Sequence, residues 1–145
     1  MSAETKNPAP LPAIGARATR VRTITDADIV RFAEVSGDRN PVHLDAAYAA
    51  RSPFGERIAH GFLTGSMISA LIGMELPGPG SIYLGQTMKF LAPVHIGDTV
   101  TVSVEVIKVR EEKRLLTLRT ECINQDGTVV LTGEATVKYI TNVAS

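Results

Sequence analysis

Three things are scarce in this chain: cysteine, net charge and apolar runs of membrane length. Cys122 is the single cysteine among 145 residues. No internal disulfide can form, and nothing around Cys122 repeats a metal-ligand spacing. Lys+Arg and Asp+Glu total 15 each, giving a formal charge of zero. No basic stripe therefore marks a nucleic-acid surface, and an anionic partner has to be met locally. The most apolar run, Gly61 to Leu76, falls short of the roughly 20 residues a membrane span needs and carries internal glycines. The stretch from Met1 to Pro12 mixes Ala and Pro with Glu4 and Lys6 and has no apolar centre, unlike a secretory leader. The expectation is one domain acting in the cytoplasm, with no membrane or nucleic-acid partner.

What is present is a helical half followed by a strand half. Residues 1–23 read as a loose arm and lead-in, and residues 24–145 as the single domain. Thr25 precedes Asp26 and Asp28, and Ile29, Phe32, Ala33 and Ser36 then share one face; this predicts a capped amphipathic helix that Gly37 ends. Asp45 is placed to cap a short helix over Ala46–Ala50, and Ser52-Pro53-Phe54-Gly55 breaks the chain again. In Gly61 to Leu76 only Thr64, Ser66, Ser69 and Glu75 are polar, too few for a surface helix, so a buried core helix is predicted. Pro77-Gly78-Pro79-Gly80 forms a turn and Ile82 to Phe90 suits a strand. Val100, Val102, Val104 and Val106 alternate with polar residues, the period of a strand with one covered face. Arg110 to Lys113 and Asn124 to Gly127 then read as turns flanking strands Leu116–Ile123 and Val129–Ile140. An antiparallel meander after one long apolar helix predicts an α+β architecture, a curled sheet wrapped around that helix as in the hot-dog fold.

The segment Ser36-Gly37-Asp38-Arg39-Asn40-Pro41-Val42-His43 holds the chemistry. A carboxylate and an imidazole stand five residues apart between two helices. Pro41 keeps Asn40 out of the α region, and the Asn40 amide can tie the loop, so that Asp38 and His43 can point at one spot. A carboxylate and a histidine are what addition of water to an α,β-unsaturated thioester needs: one group takes a proton from water and one returns a proton to the α-carbon. Each such positioned group contributes roughly 10²–10⁴-fold. Charge also builds on the thioester oxygen. His60-Gly61 sits where the buried helix should start, so the Gly61 amide is an unpaired donor at the positive end of a helix. One such donor is typically worth about 10²–10³ in rate.

These motifs resemble the MaoC-like, (R)-specific enoyl-CoA hydratases, in particular the short bacterial type that supplies polyhydroxyalkanoate monomers. The resemblance runs from about Ile24 to the last strand. It rests on SGDRNPVHLDAAYA, IAHGFLTGSMIS, PGPGSIYLGQTMKF and PVHIGDTV, in order and at the right spacing. It implies that Asp38 and His43 are the catalytic pair, that Gly61 offers the oxyanion amide, that Asn40 steadies the loop and that Ser69 lies beside the acyl pocket. It also implies a homodimer joined sheet edge to sheet edge, a coenzyme A thioester as substrate, and syn addition giving the (R)-3-hydroxyacyl product.

Taken singly, Asp38 after a helix-ending glycine reads as a turn residue and His43 as a loop histidine. Their joint pattern with Asn40, Pro41 and His60-Gly61 reverses that reading. His60 reads as a capping or packing residue, His95 as a surface residue, and Met67, Met74 and Met88 as core fillers. No histidine or cysteine stands at a zinc spacing, so neither a metal nor another cofactor is expected. Two other functions suit the same fold. A thioesterase would place a carboxylate early on the central helix or on the facing strand; Gly61 to Met74 has none, and only Glu56 just before it could serve. A non-catalytic acyl-binding or dimerising module would leave Asp38 and His43 with loop work only. Hydration of a branched or dicarboxylic thioester would use the same chemistry.

Overall fold

Four alternate valines orient the sheet. Val100, Val102, Val104 and Val106 on strand β4 (Thr99–Arg110) are all fully buried, as the period of two requires of one covered face. The computed structural model describes residues 9–140, and within them β4 is flanked by β1 (Arg17–Thr23) and β5 (Leu115–Ile123). The sheet continues through β6 (Val129–Tyr139) to β2 (Ser81–Gln86), with β3 (Lys89–Phe90) also paired to β6; every pairing is antiparallel. Register shifts at Val106/Lys108, Cys122/Ile123 and Tyr83/Gly85 add the local bend and twist that bulges bring. The result is the curled, unclosed sheet of a hot-dog fold.

The long helix α4 (Gly61–Met74) lies in that curl and buries Thr64, Met67, Ile68, Leu71 and Ile72. These recur at helical spacing, and Met67, Ile68, Leu71 and Ile72 meet the valines of β4 and Leu116 and Leu118 of β5 in one core. Removing a side chain such as Leu118 costs about 2–5 kcal/mol in a site of this kind. The helix is buried on one face only. Phe62 is 64% and Met74 65% exposed, so Met74 is not the core filler the sequence suggested, whereas Met67 is.

Two further expectations change. The lead-in before Ile24 is not loose: Arg17–Thr23 forms the edge strand β1, in register from Arg17 opposite Glu105 to Thr23 opposite Thr99. It pairs through its backbone while nearly all its side chains face outward. Residues 1–8 of the expected arm lie outside the described residues. The strand expected over Ile82 to Phe90 is broken into β2 and β3, because the chain crosses β6 at Thr87. A Cβ on Gly133 would stand 1.8 Å from the Thr87 carbonyl oxygen, so only glycine permits this crossing. The Thr87 backbone and hydroxyl then bond Glu134.

The helices before α4 start and stop as their caps direct. Thr25 and Asp28 close a capping box on α1 (Asp26–Ser36), and Gly37 ends it at φ 78°. Asp45 caps α3 (Ala46–Ala50), and each such cap is worth about 1 kcal/mol. No helix among the described residues is long and apolar enough to cross a membrane.

Candidate active site

Between α1 and α3 the chain makes one additional turn of helix, α2 (Pro41–Leu44), where the sequence suggested only a loop. Asn40 caps it: its side-chain oxygen accepts the Val42 amide at 3.2 Å, and Pro41 fills the first helical position. The Asn40 backbone N–H in turn donates to Asp38 Oδ1 at 3.2 Å. Asn40 thus ties down the segment that carries both Asp38 and His43 and does not itself line the cavity described below.

His43 is buried on α2, and its Nδ1 lies 2.7 Å from the carbonyl oxygen of Ile58. A carbonyl only accepts, so Nδ1 carries the proton and the neutral ring keeps its lone pair on Nε2. Burial, helped by the nearby His60, lowers the His43 pKa below its ordinary 6.5; the Ile58 hydrogen bond and the Asp38 charge oppose this without reversing it. The ring is therefore a neutral base at pH 7.

His60, immediately before α4, is 1% exposed. It caps nothing with its side chain and packs instead: its ring stacks on His43 at 3.9 Å between centroids and 29° between planes, and the Phe32 ring lies tilted against it at 4.9 Å. Its Nε2 donates to the Asp38 carbonyl oxygen at 2.9 Å. One ligand-type atom from each of Asp38, His43 and His60 falls within 4.8 Å of the others. Such a trio invites a metal, but zinc wants lone pairs converging at about 2.0–2.1 Å. The two rings are near-parallel, one nitrogen of each is spent on a carbonyl, and the remaining His60 nitrogen is sealed from the cavity. The set fits an acid–base pair backed by a ring better than a metal centre.

The trio lines a cavity of about 710 Å³, within the roughly 300–1,000 Å³ typical of ligand sites. Asp38, His43 and Gly61 line it, together with Phe32 and Ser36 of α1 and Thr64 one turn along α4. Phe90 to Val94 and Val130 supply its apolar wall. The amides of Gly61 and Phe62 take no partner among the described residues, since Leu63 and Thr64 are the first to bond back, to the His60 carbonyl. The cavity therefore meets the positive end of α4. A Cβ at Gly61 would press to 2.7 Å from the Phe90 ring, so glycine here also lets the aromatic wall close on the helix end.

Asp38, His43 and Gly61, singled out in the sequence, are thus brought together. Ser69 is not: it lies on the exposed face of α4 and takes no part in the cavity wall of this chain, because α4 buries only its opposite face. Glu56 is also outside the cavity, beside His95 at 3.6 Å on the surface. Of the segment Ile82 to Phe90 only Phe90 lines the cavity; Phe32, Thr64 and Leu91 to Val94, none of them singled out for the site in the sequence, also line it. Thr64 had a visible signal, three residues beyond Gly61 on the same helix face.

Comparison with known proteins follows the same lines. Residues 12–126 match the family described as MaoC like domain. A 3-hydroxybutyryl-CoA dehydratase of Methylorubrum extorquens is 53% identical over 81% of this chain and 74% of its own length. The (R)-specific enoyl-CoA hydratase of Aeromonas caviae is 46% identical over 86% of this chain and 93% of its own. The solved structure of the (R)-hydratase from A. caviae involved in PHA biosynthesis superposes with a TM-score of 0.85, covering 88% of this chain and 96% of that one.

Proposed function

The chain belongs to the MaoC-like family, and from that premise we infer that it is an (R)-specific enoyl-CoA hydratase, a hydro-lyase that adds water reversibly to trans-2-enoyl-CoA. The observation that carries this is that two proton acceptors, Asp38 and His43, stand within 4.8 Å of each other in the wall of a largely apolar cavity that the free Gly61 amide also lines.

The residues act as follows. Water sits between the Asp38 carboxylate and His43 Nε2. The thioester oxygen faces the Gly61 amide, which stabilises the enolate as it forms. Neutral His43 brings no spare proton, so the proton that reaches the α-carbon is the one the water gave up. Asp38 and His43 lie on one side of the substrate, so hydroxyl and proton arrive on the same face. Syn addition follows, and the (R)-3-hydroxyacyl product is inferred from the (R)-specific relatives. Acid–base groups and an oxyanion donor suffice for this chemistry, and neither a metal nor another cofactor enters it. Asn40 serves by holding the loop.

The reading extends to assembly and place. The edge strand β2 leaves Ile82 45% and Leu84 55% exposed, an edge that a second copy would cover; a homodimer is the form in which the enzyme works. A coenzyme A thioester substrate and a buried, unpaired Cys122 suit the cytoplasm. The A. caviae relative is described as involved in PHA biosynthesis, and supply of (R)-hydroxyacyl monomers is the corresponding role here.

The test is purified protein with crotonyl-CoA. Loss of the conjugated enoyl absorbance without release of free thiol supports the reading. Thiol release would instead make the protein a thioesterase, and an unchanged spectrum with this and longer enoyl-CoA substrates would leave a binding module.

A further inference from the structure

Two segments that are distant in sequence clasp each other at the site. His43 in the first donates through Nδ1 to the carbonyl oxygen of Ile58 in the second, at 2.7 Å. His60 in the second donates through Nε2 to the carbonyl oxygen of Asp38 in the first, at 2.9 Å. Arg57 Nε adds a bond to the His43 carbonyl at 2.6 Å, and the Ile58 amide one to the Val42 carbonyl. Between the two crossed bonds the imidazoles lie stacked, 3.9 Å apart.

The geometry points to His60 as the positioning residue of the reaction: it holds the Asp38 backbone by hydrogen bond and the His43 ring by stacking, and so registers both proton carriers against the helix end that presents the Gly61 amide. This rests on the hydratase reading and adds to it a residue that does not touch substrate.

Three observations support it. The His60 side chain reaches no cap and no other partner, so the Asp38 bond is its one polar engagement among the described residues. Its Nδ1 is buried and unpartnered, which a merely structural site would ordinarily avoid. The cost is tolerated where the position demands a flat ring and an N–H at its far end together, and no other side chain of this size combines them: phenylalanine stacks without donating, and glutamine donates without stacking. Finally, the very next amide is the oxyanion donor. A shift of His60 therefore moves the carboxylate, the imidazole and the amide relative to one another, and about 1 Å of misplacement can cost 10²-fold in rate.

The experiment compares His60→Phe and His60→Gln with the wild type on crotonyl-CoA. The expected result is folded protein in both cases, kcat lowered about 10- to 100-fold and KM nearly unchanged, with His60→Ala, which loses both ring and donor, lower than either. Both conservative variants keeping wild-type kcat, or a loss confined to KM, overturns the inference. A second measurement does not depend on the variants folding or on activity: ¹⁵N spectra of imidazole-labelled wild-type protein at neutral pH. The Nε2–H tautomer of His60 is expected, and an Nδ1–H tautomer overturns the clasp. Failure of the wild type to hydrate any enoyl-CoA would strike the proposed function instead, and the tautomer would still decide whether the clasp exists.

Discussion

His43 donates its Nδ1 proton to the carbonyl oxygen of Ile58 at 2.7 Å, and this one bond determines which nitrogen of the ring can accept a proton in the cavity. With Nδ1 occupied, Nε2 is the base. Burial keeps that base neutral below the ordinary histidine value of 6.5.

A pH dependence follows. The acid limb of activity should lie at a pH below the ordinary histidine value, as His43 takes up a proton. Stability should move in the same direction. The unfolded chain binds the His43 proton more readily than the folded one, so this residue's contribution is complete above pH 6.5 and declines as pH falls from there through the folded value. A kcat/KM profile and thermal unfolding across the same range check both signs.

Replacing either proton carrier should leave the fold intact and remove the rate. Asp38→Asn and His43→Asn should each lower kcat by about 10²–10⁴-fold. The double variant should be little worse than the poorer single one, since groups acting on one water act as a unit. Circular dichroism and single-turnover kinetics read the two halves of this outcome.

Asp28 is a structural carboxylate, and its effect should be on stability alone. Burial pushes its pKa up, but the Thr25 amide and hydroxyl and the Arg22 guanidinium, 2.6 Å away, together hold it below its ordinary 3.8. Asp28→Ala should cost about 1–2 kcal/mol at neutral pH without altering kcat. The difference should persist down to pH 3.8 and fade only as pH falls through the lowered folded value, which denaturant titrations at several pH values will show.

Cys122 should be inert in the native protein. It is fully buried on β5, and burial, with Glu121 adding to it, pushes its thiol up to about 12, so almost no thiolate exists to react. Iodoacetamide at pH 8 should label it only at the rate of unfolding, measurable by mass spectrometry, and Cys122→Ser should leave hydration unaffected.

Local signals were the legible ones. The Thr25–Asp28 box, Gly37 and Asp45 each act within a single turn, and the valine alternation of β4 acts within a single strand, so the elements they mark fall where the sequence places them. The family motif likewise named Asp38, His43 and Gly61, which do converge. What escaped depends on partners far along the chain. β1 has little apolar alternation because it binds by backbone to β4. The break after β2 needs Gly133 beneath Thr87. The exposed face of α4, with Ser69 and Met74 on it, is left by where the sheet ends and not by the helix's own composition. His60 read as a packing residue; that it packs on His43 is a tertiary fact.

The central claim is that one pair of groups on one face of the substrate adds a single water. The most direct test is hydration of crotonyl-CoA in D₂O with analysis of both new centres in the product. The account predicts (R)-3-hydroxybutyryl-CoA with deuterium at C2 on the same face as the hydroxyl. An (S)-alcohol, or deuterium on the opposite face, would contradict it.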